Sequence, residues 1–227
     1  MNARFGSKGG IALLNNLFDQ GDQGIGLIRF FEKALGLKFI LARRVVGESF
    51  STIGLAEDSV LRPRKRGHGF VSELPTFARQ LQDEGAGVMV AVVDTDDLQI
   101  NERRRLLREA KARCAELGIP LCIAEGLAVR KLEAWLLADE AAIFQVFDGD
   151  HASVTFPNPE TDPDPKTTLN YIVRTLTEGR EVTFVPFADG LAEAIRLAVL
   201  RQRCPHFDDF AHNLTNCVRE WQRLTPV

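Results

Sequence analysis

The sequence predicts an α/β fold, with a mostly parallel sheet flanked by helices and a helical C-terminal part. Three observations carry that expectation. Residues 87–93 form an unbroken apolar run rich in β-branched side chains, and it stops at Asp94-Thr95-Asp96-Asp97. Such a run, bounded by a turn cluster, suits a strand buried on both faces. Helical periodicity flanks it on either side and a second apolar run follows, the alternation of a parallel sheet. Beyond residue 127 the apolar residues recur only at helical spacing.

Taken in order, Ile11 to Phe18 is a candidate first strand, although Asn15 and Asn16 fit a strand poorly. Ile25 to Ala34 is expected as a helix and Phe39 to Val46 as a strand. Val71 to Gln82 repeats Leu74, Phe77, Ala78 and Leu81 at helical spacing and stops near Gly85. Asn101 to Leu117 is helical, with Leu106, Leu107, Ala110 and Cys114 inward and Gly118 just past the end. Pro120 opens a second buried strand, Leu121 to Ala124, ending at Glu125. Leu127 to Asp139 reads as a helix on Ala128, Leu132, Trp135 and Leu136, running on toward Phe147, with Trp135 in the core. A proline-dense segment, Phe156 to Lys166, has few donors for a ladder. Thr167 to Thr177, Leu191 to Arg203 and Phe207 to Leu224 are helical by period. The expected division is 1–126 for the α/β domain and 127–227 for a mainly helical region packed on it.

At 227 residues, 45% hydrophobic and 26% charged, the chain is long enough to bury a core without metal or disulfide staples. Twenty-eight Lys and Arg stand against 31 Asp and Glu, so the net charge of −3 excludes a generally basic binder and leaves room for local basic patches. No apolar stretch is long enough for a membrane span, and the opening residues lack a secretory pattern. A cytoplasmic protein with reduced, buried cysteines is expected. The chain has no GxSxG elbow, no phosphate-loop signature and no regular dinucleotide fingerprint. Cys204, His206, His212 and Cys217 match no standard zinc spacing.

The candidate chemistry centres on Asp94 and Asp96. Two residues apart at a strand end, their carboxylates leave one face, and a hard divalent cation relieves their repulsion. A turn or helix cap would account for the same acids. Glu133, on the next helix, is a further acid, and an ordinary pair with Arg130 would also explain it. Arg62, Arg64, Lys65 and Arg66 form a glycine-flanked basic loop suited to phosphates. Arg104, Arg108 and Lys111 make a basic stripe on the helix after the aspartates.

The Asp-x-Asp strand end, the segment VRKLEAWLLAD (Val129 to Asp139), DPDPK (Asp162 to Lys166), ADGLAEAI (Ala188 to Ile195) and CPHFDDF (Cys204 to Phe210) together resemble a bacterial Toprim-like family of unknown function, related to the OLD-type and RloB-like nucleases of phage defence. The likeness covers roughly Gly67 to the C-terminus. It implies a Toprim core in which an acid after the first strand joins Asp94 and Asp96 to hold Mg2+ or Mn2+, with Glu133 and Lys166 at positions typical of this branch. The Glu-Gly signature expected after the first strand is absent. Asp19 or Asp22 stands near that place, and Glu125 is another candidate. The implied function is a metal-dependent phosphodiesterase acting on DNA or RNA in a defence or mobile-element system. The alternatives are a catalytically inactive Toprim-like module that binds a partner such as an ATPase, and a nucleotide-binding or phosphotransfer enzyme.

Overall fold

The computed structural model describes residues 27–31, 37–50, 60–61, 69–83, 85–95, 99–148, 154–178 and 182–224. Among the described residues four parallel strands form one sheet: β1 (Leu27–Phe31), β2 (Val60–Leu61), β3 (Ala86–Asp94) and β4 (Cys122–Ala128), in the order β2-β1-β3-β4. β3 is an inner strand, which is why its sequence shows no polar alternation. Met89, Ala91 and Val93 pack with α2 (Gly69–Asp83) and α3 (Ile100–Glu116) on one face. Val88, Val90 and Val92 pack on the other face with α1 (Leu37–Ser49) and the C-terminal helices. With helices on both faces, the sheet is doubly wound.

α2 and α3 lie where the periodicity predicts them. Gly118 ends α3 with φ 63°. Its N–H donates to Ala115 O at 3.0 Å, and Ile119 N–H donates to Cys114 O at 3.0 Å, a Schellman closure that needs a residue in the left-handed region.

Two early expectations are exchanged. The segment expected as a helix from Ile25 contains β1, and the expected strand Phe39 to Val46 lies inside α1. Ile40, Val45 and Val46 imitate a strand by their branching. Yet the buried set Leu37, Lys38, Leu41, Ala42, Val45 and Val46 recurs at helical spacing, and burial of that stripe decides the outcome. The candidate strand Ile11 to Phe18, with Asp19 and Asp22, lies outside the described residues.

The helix expected from Leu127 also begins later. β4 continues through Ala128, Arg130 takes a left-handed φ of 61°, and α4 spans only Glu133–Leu136. There follow α5 (Glu140–Phe147), α6 (Pro165–Leu176), a 3-10 turn (Val185–Phe187), α7 (Ala188–Ala194), α8 (Leu197–Arg203) and α9 (Pro205–Leu224). The single helix expected over Leu191 to Arg203 breaks at Ile195 and Arg196, because Asp139 binds the Arg196 backbone and side chain there.

α9 closes the sheet. Cβ atoms added at Gly87 and Gly126 would lie 2.3 Å from Trp221 and 2.9 Å from Phe210, so both glycines admit the aromatic face of α9. Trp135 is fully buried, stacked on Phe210 with centroids 5.8 Å apart and edge-on to Phe207 at 5.0 Å. Cys122 and Cys217 form a disulfide between β4 and α9, which corrects the expectation of four reduced thiols. Cys114 and Cys204 are free and buried, and burial raises both thiols above their ordinary range.

Candidate functional site

In this strand order the connections leave β1 and β3 in opposite directions, so the crevice beyond their carboxyl ends is where ligands of such folds bind. Asp94 is the last residue of β3 and sits opposite Ala128 of β4. By alternation it shares a face with Val92 and α1. On that face the buried Lys38 ammonium donates to Val92 O at 2.7 Å, bringing positive charge to the end of the strand.

Thr95, next along the chain, turns away and is buried. Its N–H donates to Ala128 O at 3.0 Å, and its hydroxyl accepts from Arg130 N–H at 2.7 Å. These bonds staple the end of β3 to the turn after β4 and leave the Arg130 side chain exposed. Thr95, Asn101 at the start of α3, Arg104, Arg130, Glu160 and His206 wall a cleft of about 580 Å³. A second hollow of about 350 Å³ adjoins it, sharing Arg104 and His206 and reaching Arg108, Glu125 and Asn213. The mouth of α3 and the two arginines make the cleft suited to phosphate or carboxylate groups. Asp209 partly offsets Arg104 at 3.6 Å.

The sequence candidates divide. Asp94 stands at the strand end, as expected. Asp96, Asp19, Arg62, Arg64, Lys65 and Arg66 lie outside the described residues. Glu133 is half-buried at the head of α4, which packs on α6 and α7. Lys166 is exposed on the first turn of α6, beyond a cap built by the proline segment. In that cap Asp162 accepts from Asp164 N–H at 2.9 Å, and Asp164 accepts from the Thr167 hydroxyl at 2.6 Å. The Thr167 bonds, with help from Lys131, hold the Asp164 carboxyl below its ordinary range.

Glu125 does not serve as the third acid. It pairs with Ala91 in the ladder, three residues and about 10 Å before the strand end, and leaves the opposite face toward Lys111 of α3. Of the basic stripe, Arg104 lines both hollows, Arg108 lines the smaller one and Lys111 pairs with Glu125. Cys204, His206, His212 and Cys217 are engaged apart: Cys217 with Cys122, His206 with Glu160, His212 with Asp208, and the buried Cys204 thiol with Ala134 O. Sequence reasoning missed Glu160, and it met Arg130 only as a pair for Glu133 and His206 only as a zinc candidate and within the CPHFDDF motif. Pro205, a helix-opening proline just before His206, was the one available signal for the last of them.

For a hard divalent cation the donor type is right, because Asp94 offers carboxylate oxygens at the strand mouth. Among the described residues no three His, Cys, Asp or Glu side chains converge on one point.

Strand order, crevice and cation-lined wall define a doubly wound α/β protein with a polar anion-type cleft at the carboxyl ends of its strands. Residues 39–215 match a family described as a domain of unknown function (DUF4276), and the chain belongs to that family. No curated protein and no solved structure matches the chain. No helix among the described residues is long and apolar enough to cross a membrane.

Proposed function

We propose that the protein is a Mg2+- or Mn2+-dependent phosphodiesterase acting on nucleic acid in a bacterial defence or mobile-element system, with kinship to the Toprim-like, OLD-type and RloB-like proteins. The observation that supports it most is Asp94 at the carboxyl end of β3, one residue before Thr95, which lines the cleft walled by Arg104 and Arg130. Asp94 and Asp96 hold the cation, with Glu133 completing the acidic set. The resemblance asks for an acid just after the first strand. Asp19, outside the described residues, is the acid assigned to that place.

The bound metal supplies charge to polarise the scissile phosphate and to acidify an attacking water. The chain's own work is grip and orientation. Arg104 and Arg130 hold phosphate oxygens, and Arg62, Arg64, Lys65, Arg66 and Lys166 extend the contact along the backbone without reading bases. Cleavage of DNA and RNA in excess Mn2+, comparing the parent with Asp94→Asn and Asp96→Asn, tests the assignment. Loss of about 100-fold or more is expected, and equal cleavage by all three proteins removes the aspartates from the mechanism.

A second reading, a non-catalytic module binding a partner such as an ATPase, is favoured by apolar exposure in the C-terminal half. Tyr171 is 67% and Val185 45% exposed on neighbouring segments, which Asn170 joins by accepting from Phe184 N–H. It expects no cleavage with any divalent cation, and loss of the complex in Tyr171→Ser.

A further inference from the structure

The side chain that stands at the junction of the two hollows is His206, the second residue of α9. Glu160, from the proline-dense segment, binds it twice. One carboxylate oxygen accepts the His206 backbone N–H at 3.1 Å, and the other lies 2.8 Å from Nδ1. The first bond satisfies an orphan amide of the helix start, which is a purely structural duty. Capping does not need the second. A carboxylate on Nδ1 fixes the plane of the ring and makes Nδ1 the donor, which leaves Nε2 as the nitrogen available to a ligand.

The support behind this pair is built rather than loose. Glu160 has a side chain only 10% exposed, while the His206 ring keeps 20% and faces the hollows. Asn158 O accepts from the N–H groups of Thr161 and Asp162 at 3.2 and 3.1 Å, tightening the turn around Glu160. Arg203 on α8 donates to Pro157 O at 3.0 Å and to Ala138 O at 3.2 Å, tying that turn to α8 and to the end of α4. A histidine oriented by a buried acid, held on a braced turn, and placed beside Arg104 in a cation-lined cleft has the parts of an acid–base residue.

We infer that His206 is the general acid of the cleft and that Glu160 is its positioning residue, acting on a phosphodiester seated against Arg104 and Arg130. The inference rests on the phosphodiesterase assignment above and adds a residue to it. In the step, a water oxygen bonds to phosphorus as the bond from phosphorus to the leaving sugar oxygen breaks. His206, protonated on both ring nitrogens, passes its Nε2 proton to that oxygen, so an alcohol departs while Nδ1–H stays on Glu160. The water's proton goes to solvent, from which the imidazole regains its own.

The test uses an oligonucleotide and its counterpart carrying sulfur in place of the leaving bridging oxygen at the bond the parent cuts. A thiolate departs without a proton, so a general acid matters only for the oxygen substrate. His206→Asn keeps a side-chain N–H within reach of Glu160 but has no Nε2. It is expected to lose about 100-fold or more on the oxygen substrate and under about tenfold on the sulfur substrate. Glu160→Gln is expected to show the same selectivity, with a smaller loss. Thermal melting of both variants without metal reads out the structural role separately. Equal losses on the two substrates, or no loss on either, overturn the general-acid role while leaving the phosphodiesterase assignment standing. A parent that cleaves neither substrate with Mg2+ or Mn2+ overturns both.

Discussion

Asp139 is a buried acid of the described core, and three donors of Arg196 converge on it: the backbone N–H at 2.9 Å, Nε at 2.8 Å and an Nη at 2.6 Å. Burial opposes its ionisation, but the Arg196 hydrogen bonds and the guanidinium charge outweigh burial and hold the carboxyl below its ordinary range. A carboxyl depressed in the folded state contributes stability that is present above its unfolded pKa, about 4. That contribution is lost as pH falls through the lower folded value. Asp139→Asn is therefore expected to destabilise the protein by about 1–3 kcal/mol at pH 7, because the Arg196 guanidinium left behind is exposed to water. The difference from the parent should close as pH is lowered from about 5 toward 2, as followed by urea unfolding. A difference that does not change with pH would show that packing, not charge, accounts for the loss. The same acid closes the VRKLEAWLLAD segment, so part of that sequence signature serves the joint between α7 and α8 rather than the cleft.

At the scale of elements, α9 depends on two glycines in different ways. Phe210 is fully buried where it meets Gly126, so Gly126→Ala is expected to cost about 1–3 kcal/mol through displacement of the ring. Trp221 is half-buried near the end of α9 and can swing aside, so Gly87→Ala is expected to cost less. Urea midpoints of the two variants check the order, and Phe210→Leu should recover part of the Gly126→Ala loss. The elements legible in the sequence are those whose burial imposes one period: β3 covered on both faces, and α2, α3 and α9 on one. The exchange of helix and strand over residues 25–46 has the opposite cause, since a short branched apolar run fits either period until its packing partners are known. The helix expected from Leu127 failed on a backbone event, the left-handed turn at Arg130, which a non-glycine residue does not announce. Asp94 was legible because the apolar run ends on it. Glu160 and His206, 46 residues apart, and Cys122 and Cys217, 95 apart, are joined only by the path of the chain.

For the whole molecule, the question is whether residues 1–126 stand alone. Their sheet face carries Val88, Val90, Val92 and Ala124, which share one core with Leu132, Trp135, Phe207, Phe210 and Leu214. Removing the C-terminal region strips that cover and shortens β4 by Leu127 and Ala128. At about 25 cal/mol per Å² of apolar surface, exposing one face of a sheet outweighs the few kcal/mol by which a domain this size is stable. A 1–126 fragment is accordingly expected to lack a cooperative urea transition and to bind a hydrophobic dye. The full chain should unfold in one step by both far-ultraviolet dichroism and the fluorescence of Trp135 and Trp221. A fragment with a sharp transition and dispersed amide resonances would show an independent domain. The cleft is divided along the same line: Thr95 and Arg104 come from one side of residue 126, Arg130, Glu160 and His206 from the other. A fragment that folded would therefore retain Asp94 while losing one of the two arginines and the oriented histidine, so weakened phosphate binding should accompany it even where the sheet survives.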